Sequence, residues 1–120
     1  MILAPFLCLV VIVHDADTWR CDNGAWVRIA GVDGPDFLNA PACRMHRASV
    51  CDNAAAAKAR DIVAGMILHQ TLICTPVGRS YKRIVARCSV EGVDLSCAVI
   101  AAGGGQRWDA YWRKYHMPPC

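Results

Sequence analysis

Eight cysteines in a chain of 120 residues restrict its possible folds more than any other feature. Their even number favours an oxidised framework of the kind found in exported proteins. The alternative is buried thiols in a cytosolic core, because free cysteine packs as a small hydrophobe. Zinc fits poorly: no pair has C-x2-C spacing, and His46 between Cys43 and Cys51 does not complete a finger pattern. Many pairings are open to eight cysteines, but local geometry favours one set. Cys8 with Cys21 and Cys74 with Cys88 flank expected hairpins, and Cys43 and Cys51 bracket a loop, which leaves Cys97 for Cys120.

The length is right for a single domain, 1–120, with a core that does not need staples. Only 19% of residues are charged, so the chain should fold compactly. A net charge of +3 is too modest to argue for nucleic acid by itself. Residues 1–13, MILAPFLCLVVIV, are wholly apolar, yet they lack a basic start and a small-residue cleavage site and run directly into an Asp-rich turn. They read as a first strand over 6–14, and thirteen residues are too few to span a membrane. The cysteines favour a location outside the cytoplasm, secreted or periplasmic, in which case the leader is absent from this sequence or the start is misassigned. A cytoplasmic location goes with the thiol alternative.

Further along, 19–21 and 25–32 read as strands around the hairpin signal Asp22-Asn23-Gly24. Pro35 and Pro41 mark a loop through about Arg47. Ser49-Val50-Cys51-Asp52 resembles a capping box, followed at helical spacing by Ala55, Ala59, Ile62, Val63, Met66 and Ile67. Strands over 71–75 and 83–90 surround Gly78-Arg79-Ser80, with Glu91-Gly92 as the exit turn. Asp94 caps a short helix to Ala102, stopped by Gly103-Gly104-Gly105. The class is α+β, mainly β: a small, partly open five-stranded barrel of the OB type with one inserted and one C-terminal helix.

The chemistry concentrates in 13–36, VHDADTWRCDNGAWVRIAGVDGPD, where Asp17, Asp33 and Asp36 accompany Arg28 around a strand, a tight turn and a second strand. Hard oxygen ligands beside a guanidinium suit a divalent cation holding a phosphate. Arg28 and Asp33 are five apart and would face opposite sides of a straight strand, so the strand must end or bulge between them, at Gly31 or at Gly34-Pro35. The same aspartates could be plain turn residues, and Arg28 a rim arginine paired to a carboxylate.

Three motifs in order resemble the staphylococcal nuclease-like (thermonuclease) family. VHDADTW is similar to its V-x-D-G-D-T segment, VRIAGVDGPD to R-x4-D-x-P-E, and SYKR to Y-G-R. The likeness runs from about Phe6 to Gly105 and implies an OB-fold barrel. It also implies a calcium-dependent endonuclease acting on DNA or RNA, single-stranded or locally open; a monomer with no membrane partner is expected. Carried over, it makes Asp17 and Asp33 the Ca2+ carboxylates, with the carbonyl of Thr18 or Gly34 as a backbone ligand. Arg28 and Arg83 would grip the scissile phosphate. Asp36 stands where the family has a water-orienting glutamate, Tyr81 where a tyrosine meets a nucleotide phosphate, and Lys82 adds charge near the phosphate path.

Four departures accompany the likeness. Asp36 is one methylene shorter than glutamate, and a misplacement of about 1 Å in a catalytic group can cost ~10²-fold in rate. Gly34 for threonine should loosen its loop, Ala16 for glycine must avoid positive φ, and Lys82 replaces a glycine. The competing functions are a catalytically weak barrel that binds nucleic acid, and a disulfide-stabilised interaction module. The tail, 106–120, interleaves Trp108, Tyr111, Trp112 and Tyr115 with Arg107, Arg113 and Lys114. Such a mixture can stack bases and neutralise phosphates, but the spacing favours a helical face packed on the domain. Arg28→Ala and Arg83→Ala are each expected to lower turnover while leaving the melting temperature nearly unchanged.

Overall fold

The computed structural model describes residues 4–120. The start of the apolar segment, residues 1–3, lies outside them. The first strand, β1 (Phe6–Asp15), pairs antiparallel with β2 (Thr18–Cys21), which pairs with β3 (Trp26–Ile29). A two-residue strand β4 (Val32–Asp33) leads to a short helix α1 (Pro41–Arg44) and then α2 (Asn53–Ile67). The long hairpin β5 (Thr71–Ser80) and β6 (Arg83–Val90) continues into β7 (Val93–Asp94), α3 (Leu95–Ala102), β8 (Gln106–Arg107) and α4 (Asp109–Lys114). No helix among the described residues is long and apolar enough to cross a membrane.

The sheet runs β3-β2-β1-β5-β6-β7 and closes because β3 also pairs with β6, in parallel, through Val27↔Ile84, Arg28↔Val85 and Ile29↔Ala86. This gives a closed five-stranded barrel where a partly open one was expected. β1 serves two neighbours: Phe6 to Leu9 face β5, and Val10 onward face β2, with an irregularity between Val10 and Ile12 where the strand bends. Closure brings the start of β6, which carries Arg83, alongside β3, which carries Arg28.

Inside the barrel, Val10, Trp19, Val27, Ile29, Leu72 and Ala86 pack with Val63 and Ile67 of α2 and Leu95 and Val99 of α3. Burial of each Val, Leu or Ile is worth about 1.5–3 kcal/mol. The buried stripe of α2 is Ala56, Ala59, Val63 and Ile67, a helical repeat of three and four. All four expected disulfides form: Cys8–Cys21, Cys43–Cys51, Cys74–Cys88 and Cys97–Cys120. They suit an oxidising, extracellular type of environment.

Several sequence expectations are corrected. The segment 25–32 is not one strand; it breaks at Ala30-Gly31, where Gly31 has φ +76° and packs so closely that a Cβ would lie 2.7 Å from the Trp112 ring and the Met117 sulfur. Helix α2 is capped by Asp52, whose carboxylate accepts from Ala55 N–H, so Ser49 is not the cap. Strand β5 does not stop at Thr75 but continues through Pro76 and Gly78, where a register shift absorbs the proline. The hairpin therefore turns at Tyr81-Lys82 rather than at Gly78-Arg79-Ser80, with Tyr81 at φ +57°. Asp94 caps α3 through Cys97 N–H, and Gly103 ends it in the left-handed conformation, as the sequence indicates.

Candidate functional site

A cleft of about 750 Å³ opens at the end of the barrel where the β1–β2 turn, β3, β4 and the tip of the β5–β6 hairpin meet. Asp15, Asp17, Arg28, Asp33, Asp36, Tyr81 and Arg83 all line it. Residues from 15 to 36 thus meet residues 81 and 83, because the parallel β3–β6 pairing carries Arg28 and the start of β6 to the same rim. Two of the eight candidate residues are not on the wall. Gly34 is buried behind it, and Lys82 occupies the exposed hairpin tip beside Tyr81.

Asp17 is the structural pivot. Asp15 and Thr18 pair across a two-residue turn, so Ala16 and Asp17 occupy the bend, and both are buried. One carboxylate oxygen of Asp17 accepts from Gly34 N–H at 3.2 Å and meets Arg28 Nη1 at 3.4 Å; the other accepts from the Thr18 hydroxyl at 3.1 Å. Burial by itself would raise the pKa of Asp17. Arg28, the neighbouring Asp15, the Gly34 amide and Thr18 reverse this and hold it below the usual carboxylate value.

Gly34 and Ala16 are a matched pair. A Cβ at Gly34 would lie 2.9 Å from the Ala16 Cβ and 3.3 Å from the Gly104 carbonyl. The glycine does not loosen the loop; it allows the loop to lie against the Asp17 turn and deliver its amide. Ala16 is not among the residues with positive φ, so the alanine sits in the turn without that strain.

Arg28 Nη1 also donates to the carbonyls of Ile29 at 3.0 Å and Val32 at 2.8 Å, which fixes the guanidinium beneath the break between β3 and β4. All these contacts use Nη1, so Nε and Nη2 retain their donor capacity. The Trp108 ring lies 5.7 Å from this guanidinium. Arg83 reaches the same region from the other side, with Nη1 donating to the Thr18 hydroxyl and Nη2 to the Ser80 hydroxyl, both at 3.1 Å. Thr18 therefore links the second arginine to the Asp17 carboxylate.

Asp33 accepts a short 2.6 Å hydrogen bond from the Ser49 hydroxyl. Asp36 is held by its backbone, its N–H donating to the Val50 carbonyl and its own carbonyl accepting from Asp52 N–H. Burial, then Asp17 and Asp33, push its pKa up to about 6, with Arg28 and Arg83 opposing. A carboxylate in that range is suited to accepting a proton near neutral pH.

Asp15 is the functional candidate that the sequence reading passed over. Its carboxylate accepts from Asp17 N–H at 3.2 Å, and burial followed by the charge of Asp17 raises its pKa to about 8. The signal was present in the D-x-D spacing, but with the first strand expected to end at 14 the residue reads as part of the Asp-rich turn. The tail is also divided differently from a simple packing face. Trp112 packs under Gly31, whereas Trp108, Tyr111, Lys114 and Tyr115 line the cleft. Tyr111 stacks on Tyr115 at 5.8 Å and meets Trp108 edge-on at 4.5 Å.

Among the described residues no three acidic, histidine or cysteine side chains form a ready-made metal cage. The donor set is nonetheless chemically suited to a hard cation: carboxylates in mutual repulsion, two of them with raised pKa values, on one cleft. A hard cation can complete its shell with backbone carbonyls and waters beside carboxylates. No protein-family model matches this chain, and no curated protein matches it closely enough to count as a relative.

Proposed function

We propose that this protein is a calcium-dependent nuclease of the staphylococcal nuclease-like type, its barrel an OB-fold, hydrolysing phosphodiester bonds in DNA or RNA. One observation carries the reading: acidic residues from 15–36 and two arginines 55 positions apart, Arg28 and Arg83, line the same cleft. The cleft lies in the size range of a nucleotide-sized ligand site. Its opposite wall adds Trp108, Tyr111 and Tyr115 beside Lys114, a surface on which unpaired bases can stack next to their phosphates.

Asp17 and Asp33 would hold the calcium ion, with Asp15 beside them. The ion would neutralise the carboxylates and a phosphate oxygen and so permit an anionic substrate to bind. Arg28 and Arg83 donate to the non-bridging oxygens, where negative charge accumulates as water adds to phosphorus. A planar guanidinium that never deprotonates can span two such oxygens. Asp36 orients the water and takes its proton, a bond forms from the water oxygen to phosphorus, and the bond to the leaving oxygen breaks as that oxygen regains a proton. The resemblance implies products ending in a 3′-phosphate.

The shorter side chain of Asp36 favours a second reading, a barrel that binds nucleic acid without cleaving it. Incubation with denatured DNA or RNA and calcium, with and without chelator, separates the two. Chelator-sensitive cleavage supports the nuclease, and retention of nucleic acid without cleavage supports the binder. Neither outcome would remove both and leave a disulfide-stabilised interaction module.

A further inference from the structure

The segment from α1 to the start of α2 does more than connect the sheet to a helix. Pro41, Ala42, Met45 and Arg47 form one wall of the cleft. The Cys43–Cys51 disulfide closes the segment, Val50 and Asp52 hold the Asp36 backbone, and Arg47 Nη1 donates to the Tyr81 hydroxyl at 3.2 Å. Between these ties stands Ser49, whose hydroxyl donates to Asp33 Oδ2 at 2.6 Å. That is the length of a charge-assisted hydrogen bond from a hydroxyl to a carboxylate. Ser49 is exposed, so water could satisfy it equally well. The contact is made because the closed loop brings the hydroxyl to Asp33, not because burial demands a partner.

We infer that Ser49 is a positioning residue for the ion site, fixing the rotation of the Asp33 carboxylate so that Oδ1 is presented to calcium. The inference rests on the reading of Asp33 as a metal ligand. A carboxylate torsion is broad and poorly defined by itself. Bonding Oδ2 to Ser49 removes that freedom and leaves the second oxygen for the ion. Groups that orient ligands in this way are typically worth ~10–100-fold in metal affinity. The role needs a hydroxyl at 49 and a loop that holds it, so the Cys43–Cys51 disulfide belongs to the same device.

Calorimetric titration of the oxidised protein with calcium alone tests this without depending on activity. Ser49→Ala should weaken binding by roughly 10–100-fold, and Ser49→Thr, which keeps the hydroxyl, should bind within about 3-fold of the wild type. The double variant C43S/C51S should resemble Ser49→Ala. In chelator, Ser49→Ala should melt within about 2 °C of the wild type, as expected for an exposed position. If it melts lower, the threonine variant decides, because restored affinity supports positioning and equal weakness overturns it. Cleavage by Ser49→Ala should approach the wild-type rate at saturating calcium. Unchanged affinity in Ser49→Ala would overturn the role of Ser49 alone. A wild type that binds no calcium would instead remove the metal reading on which it stands.

Discussion

Beneath α2, the barrel is sealed by Val63, Ile67, Leu72 and Leu95, all fully buried, and by the disulfides Cys8–Cys21 and Cys74–Cys88, whose four cysteines are at most 2% exposed. Each of those bridges closes a short loop, worth about 3 kcal/mol in the chain-entropy account. At the cleft, by contrast, Asp15, Asp17, Asp33 and Asp36 crowd together, and burial and mutual repulsion raise the pKa of two of them. One region is optimised for stability; the other carries electrostatic cost that the sealed core must offset. Such local disagreement between group and environment is characteristic of functional sites.

The two arginines break that comparison most sharply. Removing one preorganised donor to a developing oxyanion typically costs ~10²–10³-fold in turnover, and both Arg28→Ala and Arg83→Ala should show it in a calcium-dependent cleavage assay. Their stabilities should diverge, which revises the expectation from sequence that both would melt normally. Among the described residues Arg83 bonds only two hydroxyls, so its loss should cost under about 1 kcal/mol in denaturant unfolding. Arg28 supports the nearly buried Asp17 and two carbonyls, so its loss should cost about 3 kcal/mol. Equal losses of stability with normal turnover would identify both as structural.

At the sealed end the pattern should invert. Ile67→Ala removes a fully buried side chain of α2 and should cost about 2–5 kcal/mol while leaving turnover per folded molecule unchanged. A proportionate loss of catalysis would show that the two regions are not separable. Between them stands the Ala16–Gly34 contact. Gly34→Thr should destabilise by about 1–3 kcal/mol through overpacking. Adding Ala16→Gly should recover part of that, a coupling visible in a double-mutant cycle. Strict additivity would mean that the contact plays no part in the turn.

The last expected effect concerns pH. Asp15 and Asp36 have folded pKa values of about 8 and 6 against an ordinary value of 3.8, so the folded protein binds protons more tightly than the unfolded chain in this window. Their contribution to stability is therefore greatest at low pH and falls as pH rises from about 4 to 8. Asp17, with its lowered pKa, acts in the opposite direction, its contribution being lost as pH falls below 3.8 and through its folded value. Calcium held as proposed would compete with the protons, so the stabilisation it confers should grow with pH. Melting curves in chelator and in calcium from pH 5 to 8 check both signs, and a calcium effect that shrinks with rising pH would contradict the account.

What could be read from the sequence depended on how local the determining contacts are. The Asp94 cap, the Glu91-Gly92 turn and the disulfides Cys8–Cys21, Cys43–Cys51 and Cys74–Cys88 follow from neighbours or hairpin partners, with Cys97–Cys120 reached by elimination, and all formed as expected. Ser49 was misread as a cap because its hydroxyl is taken by Asp33, sixteen residues away. Pro76 and Gly78 look like strand breakers, but the long pairing with β6 carries the strand past them through one irregularity. The parallel β3–β6 contact that closes the barrel and assembles the cleft has no local signature at all. Asp17, Arg28, Asp33, Asp36 and Arg83 could be nominated by motif; Asp15 carried only the D-x-D spacing, and the contact of the loop-held Ser49 became visible only when the chain was folded.

The most direct test is a crystal structure of the protein grown with calcium and a nucleoside bisphosphate. The account predicts an ion contacting Asp17 and Asp33, with one phosphate on that ion within hydrogen-bond reach of both Arg28 and Arg83. An ion and phosphate bound on another face, with these carboxylates and arginines untouched, would contradict it.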